Sequence, residues 1–155
     1  MITRTAGLLL VCLAPCAFAR ADDAVTTQVK ELEGEWKAVK VERDGRTSTS
    51  HEVTNHRMVF RGNEITIKSG DGTGGERRKI FSLDPGRSPK TIDIFSLDGQ
   101  ENGQIQACIY TLAKGRLSLC MPYAPDKDPG ERPMEFKPRP GDGLMLITLE
   151  RVKPK

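Results

Sequence analysis

The 155-residue chain is poor in the side chains on which most catalytic and metal sites depend. It has two histidines, one tryptophan and only 5% aromatic residues. No serine lies in a G-x-S-x-G nucleophile elbow, and neither histidine has a recognisable triad setting. His51 and His56, with Glu52 between them, follow neither a helical nor a strand period, whereas a metal site needs three or four converging ligands. We therefore predict a protein that is not an enzyme, with no catalytic residue, no metal and no cofactor.

A strong excess of charge of one sign is also absent. The chain has 24 basic and 21 acidic residues, and its formal net charge is +3. Such a balance gives no reason to expect a nucleic acid as partner. After residue 21 no apolar run approaches the roughly 20 residues that a bilayer-spanning helix needs. We therefore predict no nucleic-acid partner and no transmembrane segment in the mature chain.

The N-terminus has the order of features found in secretory signal peptides. A cation, Arg4, precedes an apolar run over residues 6–18, and small residues then form A-x-A patterns that end at Ala19 and Ala21. The run is too short for a bilayer-spanning helix of about 20 residues. We predict export to the periplasm or the cell exterior, with residues 1–21 as the signal peptide and cleavage after Ala19 or Ala21.

A lipoprotein is the alternative form of export. Cys16 would then be the lipidated residue, although Pro15 is a poor residue to precede it. In either case the mature chain, residues 22–155, is long enough for a single domain with a hydrophobic core.

The hydrophobic pattern of the mature chain predicts one helix followed by strands. Val25, Val29 and Leu32 recur at helical spacing and predict a short helix over 22–32. From Gly34 onward the period is two, and turn residues separate short segments. The predicted strands are 35–42, 57–61, 64–68, 76–83, 91–97, 104–112, 116–121, 134–137 and 144–152. Because hairpin follows hairpin, the expected fold is mainly β, an antiparallel up-and-down barrel of about 8–9 strands with a short N-terminal helix.

An ordered set of short motifs is similar to one known family. The motifs are LEGEW at 32–36, LDP at 83–85, PKTIDI at 89–94, IY at 109–110, LSLC at 117–120, RPMEF at 132–136, PGDG at 140–143 and LER at 149–151. In this order they resemble an uncharacterised lipocalin-like domain family of planctomycete bacteria, over roughly residues 30–152. Cys108 departs from the family pattern, which usually has a small residue there. The resemblance implies a lipocalin-like barrel and implies no function.

The triplet Gly34-Glu35-Trp36 also resembles the G-x-W signature of lipocalins. In that family the tryptophan closes one barrel end beneath an arginine of the last strand, a part that Arg151 is placed to play here. A guanidinium over an indole gains a cation–π contact. The resemblance therefore implies a structural role for Gly34, Trp36 and Arg151.

Two carboxylates are the candidates for contact with a ligand. Asp93 lies between Ile92 and Ile94, and Glu135 lies between Met134 and Phe136. Either could point into a barrel, although surface salt bridges are the alternative for both. We expect a module that binds a small, partly apolar molecule in the barrel; the alternative is a packed barrel that serves as a protein–protein or cell-envelope scaffold. A cavity of roughly 300 Å³ or more would favour the ligand.

Cys108 and Cys120 are expected to remain free thiols. A two-residue turn at Lys114-Gly115 places Cys120 opposite Ile109, so that the two thiols point to opposite faces of the sheet. A disulfide needs Cβ atoms roughly 3.5–4.5 Å apart. A bulge or a three-residue turn would instead bring the two cysteines opposite each other.

Overall fold

A computed structural model of the chain describes residues 21–49, 53, 55–69, 75–123 and 131–153. One helix, α1 (Ala21–Leu32), precedes the strands of the described ranges. The strands are β1 (Gly34–Arg43), β2 (Arg46–Ser48), β3 (Arg57–Arg61), β4 (Glu64–Lys68), β5 (Glu76–Asp84), β6 (Lys90–Ser96), β7 (Ile105–Ala113), β8 (Arg116–Pro122) and β9 (Leu144–Arg151). A short 3₁₀ turn, Gly99–Glu101, lies between β6 and β7.

The strands form a closed antiparallel barrel. Each of β3 to β8 pairs with the next strand along the chain, and β1 pairs with both β3 and β9, which closes the sheet. The closed barrel therefore has eight strands, and β2 is an additional short strand that folds back on the end of β1. This architecture confirms the prediction of a mainly β, lipocalin-like up-and-down barrel with a short N-terminal helix.

Two predicted strand assignments differ from the structure. Residues 134–137 were expected to form a short strand but are irregular, because Pro133, Pro138 and Pro140 around them cannot donate to a ladder. The strand β2 was not predicted. It is only three residues long, so it shows no period of two, and it exists because the Asp44-Gly45 turn folds it onto β1.

The half of the barrel nearest α1 is filled by its own side chains. Phe60 of β3 and Phe81 of β5 meet edge to face, with ring centroids 5.6 Å apart. Inward-facing apolar residues from the other strands surround this pair and are almost fully buried: Trp36, Ile65, Ile92, Ile94, Tyr110, Leu117, Leu119 and Leu149. An eight-stranded barrel has an interior just wide enough for side chains to fill, so this half is solid core.

Helix α1 closes that end of the barrel, and Trp36 and Arg151 hold its C-terminus. The last carbonyls of a helix have no partner within it. Here the indole Nε1 of Trp36 donates to Leu32 O at 2.7 Å, and the Arg151 guanidinium donates to the carbonyls of Glu31 and Glu33. The guanidinium carbon also lies 4.3 Å from the centroid of the Trp36 ring. The contact expected between Trp36 and Arg151 is therefore present.

Gly34 is required by the same arrangement. Its φ is +116°, a value that side-chain-bearing residues rarely adopt. A Cβ at this position would lie 3.0 Å from Nη1 of Arg151. Only glycine lets the chain turn from α1 into β1 while the arginine passes over it.

A second set of contacts attaches the middle of α1 to the barrel. Burial raises the pKa of Tyr110 to about 12, so its hydroxyl stays protonated and donates to Gln28 Oε1 at 3.2 Å. The Lys90 ammonium donates to the same oxygen at 2.8 Å. The helix is thus fixed by polar contacts as well as by the apolar side chain of Val29, which packs against the core.

The outer surface of β6 to β9 is partly covered by residues 131–143, the outer segment. Phe136 of this segment packs against Ile109, Cys120 and Leu146, which form a small apolar cluster outside the barrel. Arg132 donates to the Cys108 carbonyl oxygen at 2.7 Å. The strands beneath the outer segment therefore have apolar residues on both faces.

The cysteines have the predicted register. Ile109 is paired with Cys120 across β7 and β8, and Tyr110 with Leu119, as a two-residue turn requires. Cys108 belongs to the interior core and Cys120 to the outer cluster. Both are free thiols on opposite sides of the sheet, so the prediction that they form no disulfide with each other is confirmed.

Candidate functional site

A cavity of about 420 Å³ occupies the half of the barrel interior away from α1; we call it the cup. The strand ends that surround it are those farthest from the helix, such as the C-terminal half of β1 and the first residues of β3, β5 and β9. Ala38, Met58 and Leu149 line the cup and also belong to the buried core. One barrel therefore has a solid half and a hollow half.

The walls of the cup are mainly apolar and flexible. They include Ala38, Val41, Met58, Met121, Met145 and Ile147. Methionine side chains are unbranched and polarisable, so they adapt to ligands of irregular shape. Three of the nine apolar residues that line the cup are methionines, which favours an accommodating binding site over a rigid one.

A bulge in β1 shapes one wall. The pairing of β1 with β9 shifts between Ala38 and Lys40, so that Val41 is paired with Ile147 and faces the interior like Ala38. A bulge adds one residue to one strand and bends it locally. Without that shift the alternation from Ala38 would point Val41 outward and Lys40 into the cup.

A buried lysine enters the cup from β5. The Lys79 ammonium donates to Ser96 Oγ and to Glu101 Oε2, each at 2.7 Å, and the lysine side chain is 6% exposed. A buried ammonium is stable only when it is paired and hydrogen-bonded. Ser96 lies on β6, where it is paired with Lys79 of β5 and faces the interior. Glu101 lies in the 3₁₀ turn that follows β6.

The other polar groups of the cup lie near Lys79 and at its rim. Arg77, two residues earlier on β5, also lines the cup. Gln106 of β7 lines it as well and donates its side-chain amide to the Pro122 carbonyl at 3.2 Å. His56 lines the cup from just before β3 and is exposed. An apolar wall with a few polar groups is the usual composition of a small-molecule site.

The sequence alone did not identify Lys79 as an interior residue. A run of three basic residues, Arg77-Arg78-Lys79, is by itself typical of a solvated surface. The period of two places Lys79 on the same face of β5 as Phe81, but the sequence does not show that this face is the interior. The lysine lies in the interior because Ser96 and Glu101 satisfy its charge there.

The two carboxylates predicted from sequence do not line the cup. Asp93 lies on the outer face of β6, where Arg132 of the outer segment pairs with it at 2.5 Å. Glu135 is exposed, pairs with Arg139, and borders a depression of about 720 Å³ formed by the outer segment. That depression is larger than the cup, but Glu131, Lys137 and Arg139 line it and it lies outside the barrel. The structure does not bring Asp93 and Glu135 together.

At the barrel end away from α1, Asp44 links three separate segments of the chain. It accepts hydrogen bonds from the Tyr123 hydroxyl at 2.6 Å and from the Gly141 backbone N–H at 3.3 Å. These two bonds hold the pKa of Asp44 below its usual value. The Arg43 guanidinium lies 4.8 Å from the Tyr123 ring centroid. The β1–β2 turn is thus tied to the end of β8 and to the outer segment.

The remaining reactive groups are unsuited to nucleophilic chemistry. Burial raises the pKa of the Cys108 thiol well above its usual value and raises the pKa of Cys120 to about 11. Thiols in such surroundings stay protonated and inert. His51 and Glu52 lie outside the described residues, and no group of three metal-ligating side chains occurs within the described ranges. None of the described helices has the length and apolarity required to cross a bilayer.

Comparison with known proteins adds no assignment to this geometry. No family model, no curated protein and no solved structure matches the chain.

Proposed function

We propose that the protein binds a small, partly apolar molecule in the cup. The observation that carries this proposal is an apolar-walled cavity of about 420 Å³ with a buried, paired lysine inside it. Ligand sites are typically about 300–1,000 Å³ and combine apolar walls with a few placed polar groups. The cup meets both criteria within a barrel that is otherwise densely packed.

The size of the cup limits the size of the ligand. At about 30 Å³ for each group the size of a water molecule, roughly 14 non-hydrogen groups would fill it. A medium-length alkyl chain or a two- to three-ring aromatic compound has this size. The proposal therefore concerns a small metabolite and excludes a folded protein as the occupant of the cup.

The scaffold alternative has one observation in its favour. Ile80, Phe95 and Ile105 form an apolar row across the outer face of β5, β6 and β7, and Leu97 beside it is 43% exposed. However, an empty apolar cavity lowers stability in proportion to its volume. A protein that acted only through its outer surface would gain nothing from the cup, so the ligand-binding function is better supported.

Export remains part of the proposal, as does kinship with the planctomycete lipocalin-like family. The order of cation, apolar run and A-x-A pattern supports cleavage after Ala19 or Ala21. The intact mass of the protein isolated from its host is expected to lack the first 19 or 21 residues. A chain that begins at Cys16 and carries acyl groups would support the lipoprotein form, and a full-length chain in the cell envelope would contradict cleavage.

Binding in the cup is tested with a neutral fluorescent probe, 1-aminoanthracene. Its emission is expected to rise on addition of the wild-type protein, because the probe moves from water into an apolar cavity. Ile147→Trp places a large side chain in the cup and is expected to weaken binding of the probe at least about tenfold, since it occupies space that the probe requires. Fluorescence titration gives both dissociation constants.

The matched control is Thr111→Trp, which adds the same side chain at an exposed site on the outer face of β7. It is expected to bind the probe as the wild type does. Circular dichroism and thermal unfolding would show that both variants are folded. Equal binding by Ile147→Trp, or no binding by the wild type of either this probe or decanol at millimolar concentration, would contradict the proposal.

A further inference from the structure

The two partners of the ion pair in the cup differ in how firmly they are held. Lys79 lies within β5, is 6% exposed, and is bonded across the sheet to Ser96. Glu101 lies in the short 3₁₀ turn beyond β6, and its side chain is 34% exposed. The ammonium is therefore part of the barrel wall, whereas the carboxylate reaches it from a turn and has solvent beside it.

The cationic groups of the cup exceed its anionic groups. Among the described lining residues Arg77 and Lys79 are basic, and Glu101 is the one carboxylate. Arg77 forms no ion pair within the described part of the chain, and its guanidinium lies beside the 3₁₀ turn, 3.9 Å from where a Cβ at Gly99 would be. The lining thus has more basic than acidic side chains, which favours an anionic ligand over a cationic one.

The hydrogen-bonding capacity at Lys79 also favours an acceptor. An ammonium has three donors, and those of Lys79 that have described partners go to Ser96 Oγ and Glu101 Oε2. Because the Ser96 hydroxyl accepts from the lysine, its own hydrogen remains available to donate. Of the two residues Lys79 is the one that lines the cup, and its third donor can bond one further acceptor atom there.

We propose that the ligand of the cup is an amphipathic carboxylate, whose head group replaces the Glu101 carboxylate at Lys79 and whose apolar body lies among the wall residues. Glu101 then turns towards solvent and leaves the ligand within reach of Arg77. The position of Glu101 shows that a carboxylate fits beside Lys79. This inference rests on the proposed function, because it specifies the chemistry of the molecule that the cup binds.

The test compares two probes that differ only in the head group, decanoate and decanol. Isothermal titration calorimetry at about pH 8, where a carboxylic acid is ionised, is expected to show the wild type binding decanoate about tenfold more tightly than decanol. Lys79→Met is expected to abolish this preference while retaining affinity for decanol, since the apolar walls are unchanged. Equal affinity of the wild type for the two probes would overturn the inference but leave the proposed function intact.

A second variant is expected to act in the opposite direction. Glu101→Gln removes the competing carboxylate but retains an oxygen that Lys79 can bond, so affinity for decanoate is expected to rise about threefold to tenfold and affinity for decanol to stay the same. A merely structural ion pair would give no increase for decanoate alone, and that result would overturn the inference. If neither probe binds any variant, the proposed function itself fails.

The control for charge is Lys30→Met, the same chemical change on an exposed residue of α1 at the opposite barrel end. It changes the net charge as Lys79→Met does and is expected to leave the decanoate preference unchanged. An equal loss in Lys30→Met would mean that long-range charge, not the Lys79 site, produces the preference.

Discussion

Trp36→Ala is expected to lower the free energy of unfolding by about 3–5 kcal/mol, the usual loss when a buried aromatic side chain is truncated. The indole is fully buried at the closed end of the barrel. Its removal leaves a cavity under α1, takes a donor from the Leu32 carbonyl and takes the ring from beneath Arg151. Urea unfolding followed by circular dichroism measures the loss without relying on the tryptophan signal.

Trp36→Phe separates packing from hydrogen bonding. It keeps most of the apolar ring but removes the N–H that bonds to Leu32 O, so we expect a smaller loss of about 1–3 kcal/mol, the cost of an unpaired buried polar group. Because Trp36 is the one tryptophan, native fluorescence reports on it directly. Emission typical of a solvent-exposed indole, or a loss below about 1 kcal/mol for the alanine variant, would contradict the closed end described above.

Phe60→Ala is expected to be similarly costly, with a loss of about 3–5 kcal/mol in the free energy of unfolding. Phe60 is 1% exposed and meets the Phe81 ring at an interplanar angle of 69°. An edge-to-face pair contributes about 0.5–1.5 kcal/mol beyond its buried area. Truncation therefore removes both the contact and the filling of the packed half.

The neighbouring residue supplies the matched control. Val59 faces the outer side of β3 and is half-buried, so Val59→Ala is expected to cost about 1 kcal/mol or less. Equal losses at the two positions would mean that β3 does not present Phe60 to the interior. A second check is Phe60→Ala in the Phe81→Leu background. The ring contact is already absent there, so Phe60→Ala is expected to cost less than it does in the wild type.

Stability and binding are assigned to different halves of the barrel. The residues with the largest expected unfolding losses, Trp36 and Phe60, lie near α1, whereas Lys79 and Ile147 lie in the hollow half. Lys79→Met removes one partner of the ion pair, but Glu101 is 34% exposed, so its carboxylate can turn towards solvent and is not left buried without a partner. Changes in the cup can therefore be read as changes in binding.

Local sequence was sufficient for much of the strand framework. Gly62-Asn63 and Lys114-Gly115 specify tight turns, and the structure has β3, β4 and the β7–β8 register as predicted. Turn chemistry and the alternation of side chains are properties of neighbouring residues, so a single sequence contains them. The contact between Trp36 and Arg151 was expected from a family resemblance, because its residues are 115 positions apart and no local pattern joins them.

The binding site was decided by the tertiary structure. The alternation of side chains along a strand shows which residues share a face with Asp93 or with Lys79. Both faces of β5 and β6 carry apolar residues, so the hydrophobic pattern does not show which face is the interior. In the closed barrel Lys79 faces the interior, where the Glu101 carboxylate, 22 residues later in the chain, pairs with its ammonium. Asp93 faces outward and pairs with Arg132 of the outer segment. The sequence by itself determined the eight barrel strands, the β7–β8 register and the antiparallel order. The side on which each charge lies, and the cavity between them, depend on contacts between distant segments that form only when β1 pairs with β9.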